Sequence, residues 1–238
     1  MTRVFNKNQK LGEIAAVFPK ATETFMKHDI DFCCGGDRTL ELALNDKGLD
    51  IDMILDELDK AYTEYNAIKN DDIDWRNSDF STLIDFIVNK HHSFMKKELP
   101  LIDTLVNKIL KVHFIDNGEV LTKVHKLFGQ LKTEIETHLI KEEEVLFPLI
   151  KQYEKTPSDE LLNKIINVMN ETEDEHDAAG DILKELRKVT NQYEVPPTGC
   201  NSFKLTYEKL MSVEVDLFHH IHLENNIMFE RLKSLQSD

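Results

Sequence analysis

Cysteine is scarce here: Cys33, Cys34 and Cys200 are the only three in 238 residues. An odd count with two neighbours excludes a disulfide framework and suits a reducing compartment. Proline (6) and glycine (8) are also few, and long segments hold neither. Apolar residues recur at three- and four-residue spacings and almost never alternate, so the fold class read from the sequence is all-α. Positive charge is in deficit, with 29 Lys and Arg against 44 Asp and Glu and a net charge of −15. Repulsion therefore excludes nucleic acid and anionic membrane surfaces as partners. No stretch approaches the ~18 apolar residues of a membrane helix, and "MTRVFNKNQKLGEIAAVFP" lacks the apolar core of a signal peptide. With 41% hydrophobic and 31% charged residues, the expectation is a soluble cytoplasmic protein with a sizeable core.

Three regions are expected: a small helical N-terminal domain over residues 1–65, a polar linker over 66–78 and a bundle over 79–238. In the first, "LGEIAAVFPKATETFMKHDI" carries helical spacing and ends at "DFCCGGD". Thr39 caps the next short helix, and Asp50 or Asp52 caps "DIDMILDELDKAYTEY". The bundle reads as four long helices with short connections, antiparallel by that brevity. Pro100 is expected to kink the first, and Ser158 is expected to cap the third.

The histidines organise this bundle. Each long helix carries at least one, and two carry a glutamate four residues later: His138 with Glu142 in "HLIKE", and His220 with Glu224 in "HIHLE". Residues four apart stack on one helix face, so each imidazole and carboxylate can meet one metal, or the carboxylate can bridge two. Counting residues from each turn at ~1.5 Å per residue puts His92, His138, His176 and His220 at one level of an up-and-down bundle. Helical phase alone leaves His91 beside His92, and His219 and His222 beside His220. His113, 21 residues past His92, lies about 30 Å along a continuous helix and is left out of the site. Four imidazoles with two carboxylates and no sulfur suit iron, manganese or zinc, and two bridging carboxylates imply two ions.

These motifs carry a resemblance. The bundle resembles hemerythrin-like domains. With "DFCCGG", "ELP", "HLIKEEEVLFP", "EHDAAG" and "HIHLENN", nearly the whole chain resembles the repair-of-iron-centres family, the YtfE/ScdA-type di-iron proteins. The family histidine stands eight residues before the proline of "ELP", which selects His92. The family motif likewise selects His220. The resemblance implies an oxo-bridged non-haem di-iron centre held by His92, His138, His176 and His220 and bridged by Glu142 and Glu224. It also implies repair of iron–sulfur clusters damaged by oxidative or nitrosative stress, by donating iron. Damaged iron–sulfur proteins, an electron donor, and nitric oxide or oxygen would then be partners, and the N-terminal domain could pair two copies. Nitric oxide reduction at the two irons, or non-catalytic oxygen or nitric oxide sensing or storage, are the rival readings. Oxygen-carrying hemerythrins have a further histidine one turn after the third-helix ligand. Here that position is Gly180, preceded by Ala178 and Ala179, which leaves room for a small ligand.

A disulfide between the neighbours Cys33 and Cys34 would close a strained ring. Two glycines after them suggest an exposed turn near a helix N-terminus, which favours thiolate. The pair is therefore expected to be a redox or transient iron-handling site.

Overall fold

The computed structural model describes residues 3–67 and 73–236. Residues 68–72 of the expected linker lie outside the described residues. Among the described residues there is no strand, only an isolated antiparallel bridge between Lys10 and Thr39. The all-α expectation holds: a small helical N-terminal domain precedes an antiparallel four-helix bundle. By compactness the chain divides into two units, Met1–Leu83 with Phe218–Asp238, and Ile84–Leu217.

The first unit contains α1 (Leu11–Val17), α2 (Ala21–Lys27), α3 (Leu40–Lys47) and α4 (Ile51–Ala67). Their short apolar stripes close over an aromatic cluster in which Phe18 meets Tyr62 edge-on at 5.3 Å and Phe5 stacks at 6.0 Å. Local chemistry sets the helix ends. Thr39 Oγ1 accepts from Leu42 N, as the sequence suggested, and of the two candidate aspartates Asp50 caps α4, accepting from Met53 N at 2.9 Å. Gly48 ends α3 in the left-handed region (φ 64°), where a side chain would be strained. The first amides of α1 are satisfied by the "CCGGDR" segment: Leu11 N donates to Arg38 O and Gly12 N to Gly36 O. The same unit holds the end of the chain, where Arg231 donates to the Trp75 and Ser78 carbonyls at 3.0 and 2.7 Å and lies over the Phe80 ring.

The second unit is built on α6 (Ser93–Val112), α7 (Phe114–Lys141), α8 (Phe147–Lys155), α9 (Asp159–Val189) and the first part of α10 (Asn201–Leu223). A short α5 (Phe80–Ile87) leads into α6. Polar ties show the antiparallel order. Along α6 and the turn just before it, His91 meets Asp216, Glu98 meets Lys209 and Lys108 meets Ser202 of α10, so numbering rises on one side as it falls on the other. His125 to Asn107 joins α7 to α6 in the same sense, and Lys141 to Glu171 and Glu175 joins α7 to α9. Ser158 caps α9, accepting from Leu161 N at 3.3 Å. Pro100, the residue expected to kink the first long helix, lies inside α6, which runs through it as one element. The turn comes at His113, and Asn117 (φ −132°, ψ 15°) marks a kink just inside α7.

The departures from regular helix fall elsewhere. Val88–His92 joins α5 to α6, Glu142–Leu146 joins α7 to α8, and Glu224–Phe229 joins α10 to α11 (Glu230–Ser234), each as a π-helical turn. A π turn widens the helix and re-aims the side chains around it, and such turns concentrate at functional sites.

Candidate metal centre

Each π turn begins or ends on a residue singled out by spacing: His92 closes the first, Glu142 opens the second and Glu224 opens the third. Within the second unit, the Glu142 carboxylate is fully buried. His92 Nε2 and His138 Nε2 both approach its Oε2 at 3.3 Å. His176 Nε2 faces His138 Nε2 at 3.1 Å. Single ligand atoms of His138, Glu142 and His176 all lie within 4.8 Å of one another, and so do those of His92 and Glu142. A fully buried carboxylate ringed by imidazole nitrogens is costly unless a cation or protons neutralise it. Three borderline nitrogen donors around a hard oxygen donor suit a divalent transition metal such as iron. The buried His and Glu cluster therefore fits a metal site.

Within the first unit, the His220 and Glu224 side chains are fully buried and Nε2 lies 2.9 Å from Oε1. The i, i+4 stacking expected from sequence is thus present on this helix as on α7.

The neighbouring histidines have other partners. His91 Nδ1 meets Asp216 Oδ1 at 3.1 Å, and His219 Nε2 meets Thr22 Oγ1 at 3.2 Å. His222 packs edge-on against Phe32, and burial, with His219 nearby, pushes its pKa down to about 3, so it is neutral. His113 lies at the far end of α6 and pairs with Cys200. We expect His113→Ala to keep its full iron content, measured by metal analysis of the purified protein; loss of the iron would overturn the exclusion of His113.

Two carboxylates behind the imidazoles escaped the sequence reading. His92 Nδ1 meets Glu143 Oε1 at 2.7 Å, and His138 Nδ1 meets Glu175 Oε2 at 2.9 Å. Each carboxylate is held in turn by a lysine, Lys96 for Glu143 and Lys141 for Glu175, with contacts of 2.7 and 2.9 Å. An imidazole that donates Nδ1–H to a carboxylate presents its Nε2 lone pair to a metal and is a better base. The hydrogen bond from His138 leads the causes that bring the Glu175 pKa down to about 2. Its contribution to folding is therefore present above the ordinary carboxylate pKa and is lost as pH falls towards 2. Burial pushes Glu143 up, but Lys96 and His92 outweigh it and leave it lowered. In sequence, Glu143 sits in an acidic run and Glu175 directly precedes a histidine, and neither pattern differs from solvated charge. We expect Glu143→Gln and Glu175→Gln each to weaken iron binding by about tenfold or more, read by competition with a chelator. Unchanged affinity in both variants would reduce these carboxylates to surface charge.

One turn after His176, Ala179 and Gly180 are buried, while Ala178 is exposed and faces away.

The "CCGG" turn differs from the expected exposed thiolate pair. Cys33 is buried, and Cys34 is half-buried. The hydrogen bond to Cys34, followed by burial, raises the Cys33 thiol well above its ordinary value. Asp31 organises the turn, its Oδ1 accepting from Cys34 N and Gly35 N at 3.1 Å each and from Cys33 Sγ at 3.4 Å. Single ligand atoms of Asp31, Cys33 and Cys34 lie within 4.8 Å of one another. The turn is anchored from the third π turn, because Asn226 Nδ2 donates to the Phe32 and Cys33 carbonyls at 3.1 Å.

Residues 82–232 match the hemerythrin HHE cation binding domain, and residues 7–62 match a domain of unknown function, the ScdA N-terminal domain. The iron-sulfur cluster repair protein YtfE of Escherichia coli O81 is 35% identical over 225 residues, covering 94% of this chain and 96% of that protein. The protein of the same name from Escherichia fergusonii gives the same identity and coverage. With the HHE match covering most of the chain and that identity running nearly end to end, this protein belongs to the hemerythrin HHE family, in the branch that includes the YtfE iron-sulfur cluster repair proteins.

Proposed function

We propose that this chain repairs iron–sulfur clusters damaged by oxidative or nitrosative stress, using a non-haem di-iron centre. The observation that carries the reading is the convergence of His92 and His138, with His176 against His138, on fully buried Glu142 inside a cation-binding domain. His92, His138, Glu142, His176, His220 and Glu224 are the residues that would hold the iron. Bound there, iron supplies exchangeable, redox-active ions. The protein's own residues hold and aim the donors: Glu143 and Glu175 fix the imidazole planes, and the small residues after His176 leave a side open.

The domain reading of 1–65, 66–78 and 79–238 is retained, and the two family matches at 7–62 and 82–232 support it. Cys33 and Cys34 are assigned a redox or iron-handling role. A buried, proton-holding Cys33 beside a more open Cys34 supports a division of labour in which Cys34 reacts first. Damaged iron–sulfur proteins are the partners in this role, with an electron donor, in the cytoplasm. The relatives are named for repair, and neither nitric oxide reduction nor sensing is part of that name.

The test is anaerobic incubation of the iron-loaded protein with a cluster-damaged dehydratase, following iron transfer and recovered activity together. Repair predicts that both rise in parallel; iron retention with no reactivation would defeat it. In the same assay the Cys33→Ala, Cys34→Ala double variant should load iron normally but repair more slowly. A normal repair rate would demote the pair to packing.

A further inference from the structure

We propose that Cys200 and His113 form a reactive-thiol site, separate from the metal centre, that takes low-molecular-weight disulfides and becomes reversibly S-thiolated. Cys200 is exposed, unlike Cys33 and Cys34. It occupies the cap position of the 23-residue α10, its carbonyl accepting from Lys204 N at 3.0 Å. A thiol there lies in the field of unpaired amides at the positive end of the helix, which favours the thiolate.

A second element meets it independently. His113, buried at the corner between α6 and α7, sets Nε2 3.2 Å from Cys200 Sγ. Its ring packs edge-on against Phe203 at 5.3 Å, which holds its plane towards the sulfur. Lys108 on α6 donates to Ser202 Oγ at 2.9 Å, two residues after Cys200 in the chain. These features agree with a Cys200 pKa lowered to about 7, with the His113 contact first among the causes and the Phe203 amide next. The three cysteines thus divide into a buried proton-holding thiol, a half-buried neighbour, and an exposed thiol paired with an imidazole. His92 and His113 lie at opposite ends of α6, about 30 Å apart, so thiolation need not disturb the metal donors.

The step balances without an added oxidant. His113 takes the proton from Cys200, and the thiolate attacks one sulfur of the small disulfide. A Cys200–S bond forms as the incoming S–S bond breaks, and the departing thiolate receives the proton. A free thiol reverses the exchange.

The experiment uses the full chain in a Cys33→Ser, Cys34→Ser background, with the aromatic disulfide dithiodipyridine for rates between pH 6 and 10. Glutathione disulfide with intact-mass detection identifies the adduct. We expect one adduct, absent in Cys200→Ser, and a rate midpoint near pH 7. His113→Gln should move the midpoint upwards and slow the reaction at pH 7 by about five- to tenfold, the gain in nucleophilicity only partly offsetting the lost thiolate. Iron content should be unchanged in both variants. An unsubstituted His113 chain with a midpoint at the ordinary thiol value, or an unaltered profile in His113→Gln, would overturn the proposal. The first readout stands even if His113→Gln folds poorly.

Discussion

Glu142→Leu should strip most of the iron from the protein while leaving the metal-free chain at least as stable as the parent. Glu142 is the carboxylate on which His92 and His138 both converge at 3.3 Å, and its side chain is fully buried. Removing only the partner behind a ligand typically costs about 10–100-fold in metal affinity, and removing the carboxylate on which both imidazoles converge should cost no less. The stability side has the opposite sign. A buried ionised group pays a large desolvation cost, and an apolar replacement of similar volume is often neutral or stabilising by about 1–4 kcal/mol. Iron per chain after a chelator challenge, paired with thermal melts of the metal-free forms, separates a ligand from a structural residue. Glu224→Leu should behave alike, since Glu224 is equally buried and stacked on His220. Two irons retained in both variants would sink the ligand assignment. A metal-free Glu142→Leu that melts far below the parent would mean that Glu142 serves the fold rather than the metal.

Much of the architecture was legible because it rests on patterns that repeat. Helical spacing, the shortage of turn residues and capping residues such as Thr39 and Ser158 all speak locally, and each was found where expected. The stacked pairs His138–Glu142 and His220–Glu224 were legible for the same reason, since four residues make one turn of one helix. The π turns were invisible: one extra residue in a turn leaves no residue type behind, although it re-aims His92, Glu142 and Glu224. Glu143 and Glu175 were hidden because their partners lie on other helices, 51 and 37 residues away. Cys33 was misjudged for a related reason. Two glycines usually announce an exposed turn, but here the missing side chain of Gly36 admits Asn226 from another segment, against a turn in which Cys33 is buried.

That admitted segment gives the second large effect. Gly12→Ala should destabilise the first unit by about 2–3 kcal/mol, the range of an overpacked contact, even though alanine is the better helix former. A Cβ on Gly12, within α1, would overlap the Asn226 side-chain amide and come within 2.9 Å of the Asn226 Cβ. Gly36 meets the same amide from the other side, and a Cβ there would also stand 2.7 Å from Phe32 O. Between these two glycines Asn226 reaches the Phe32 and Cys33 carbonyls, so "CCGG" and "LENN" are two halves of one contact. The sign of the Gly12 effect should therefore depend on residue 226. In an Asn226→Gly background the obstruction is gone, and Gly12→Ala should be neutral or favourable by about 0.5–1 kcal/mol through the entropy of the unfolded chain and helix preference. A double-mutant cycle followed by denaturant unfolding reads the difference directly, and a coupling of about 2 kcal/mol or more is expected between contacting residues of this kind. Additive effects would show that the segments merely touch. A sign reversal would establish that the turn carrying Cys33 and Cys34 is held by a residue two positions from Glu224, so that what is done to either end is felt at the other.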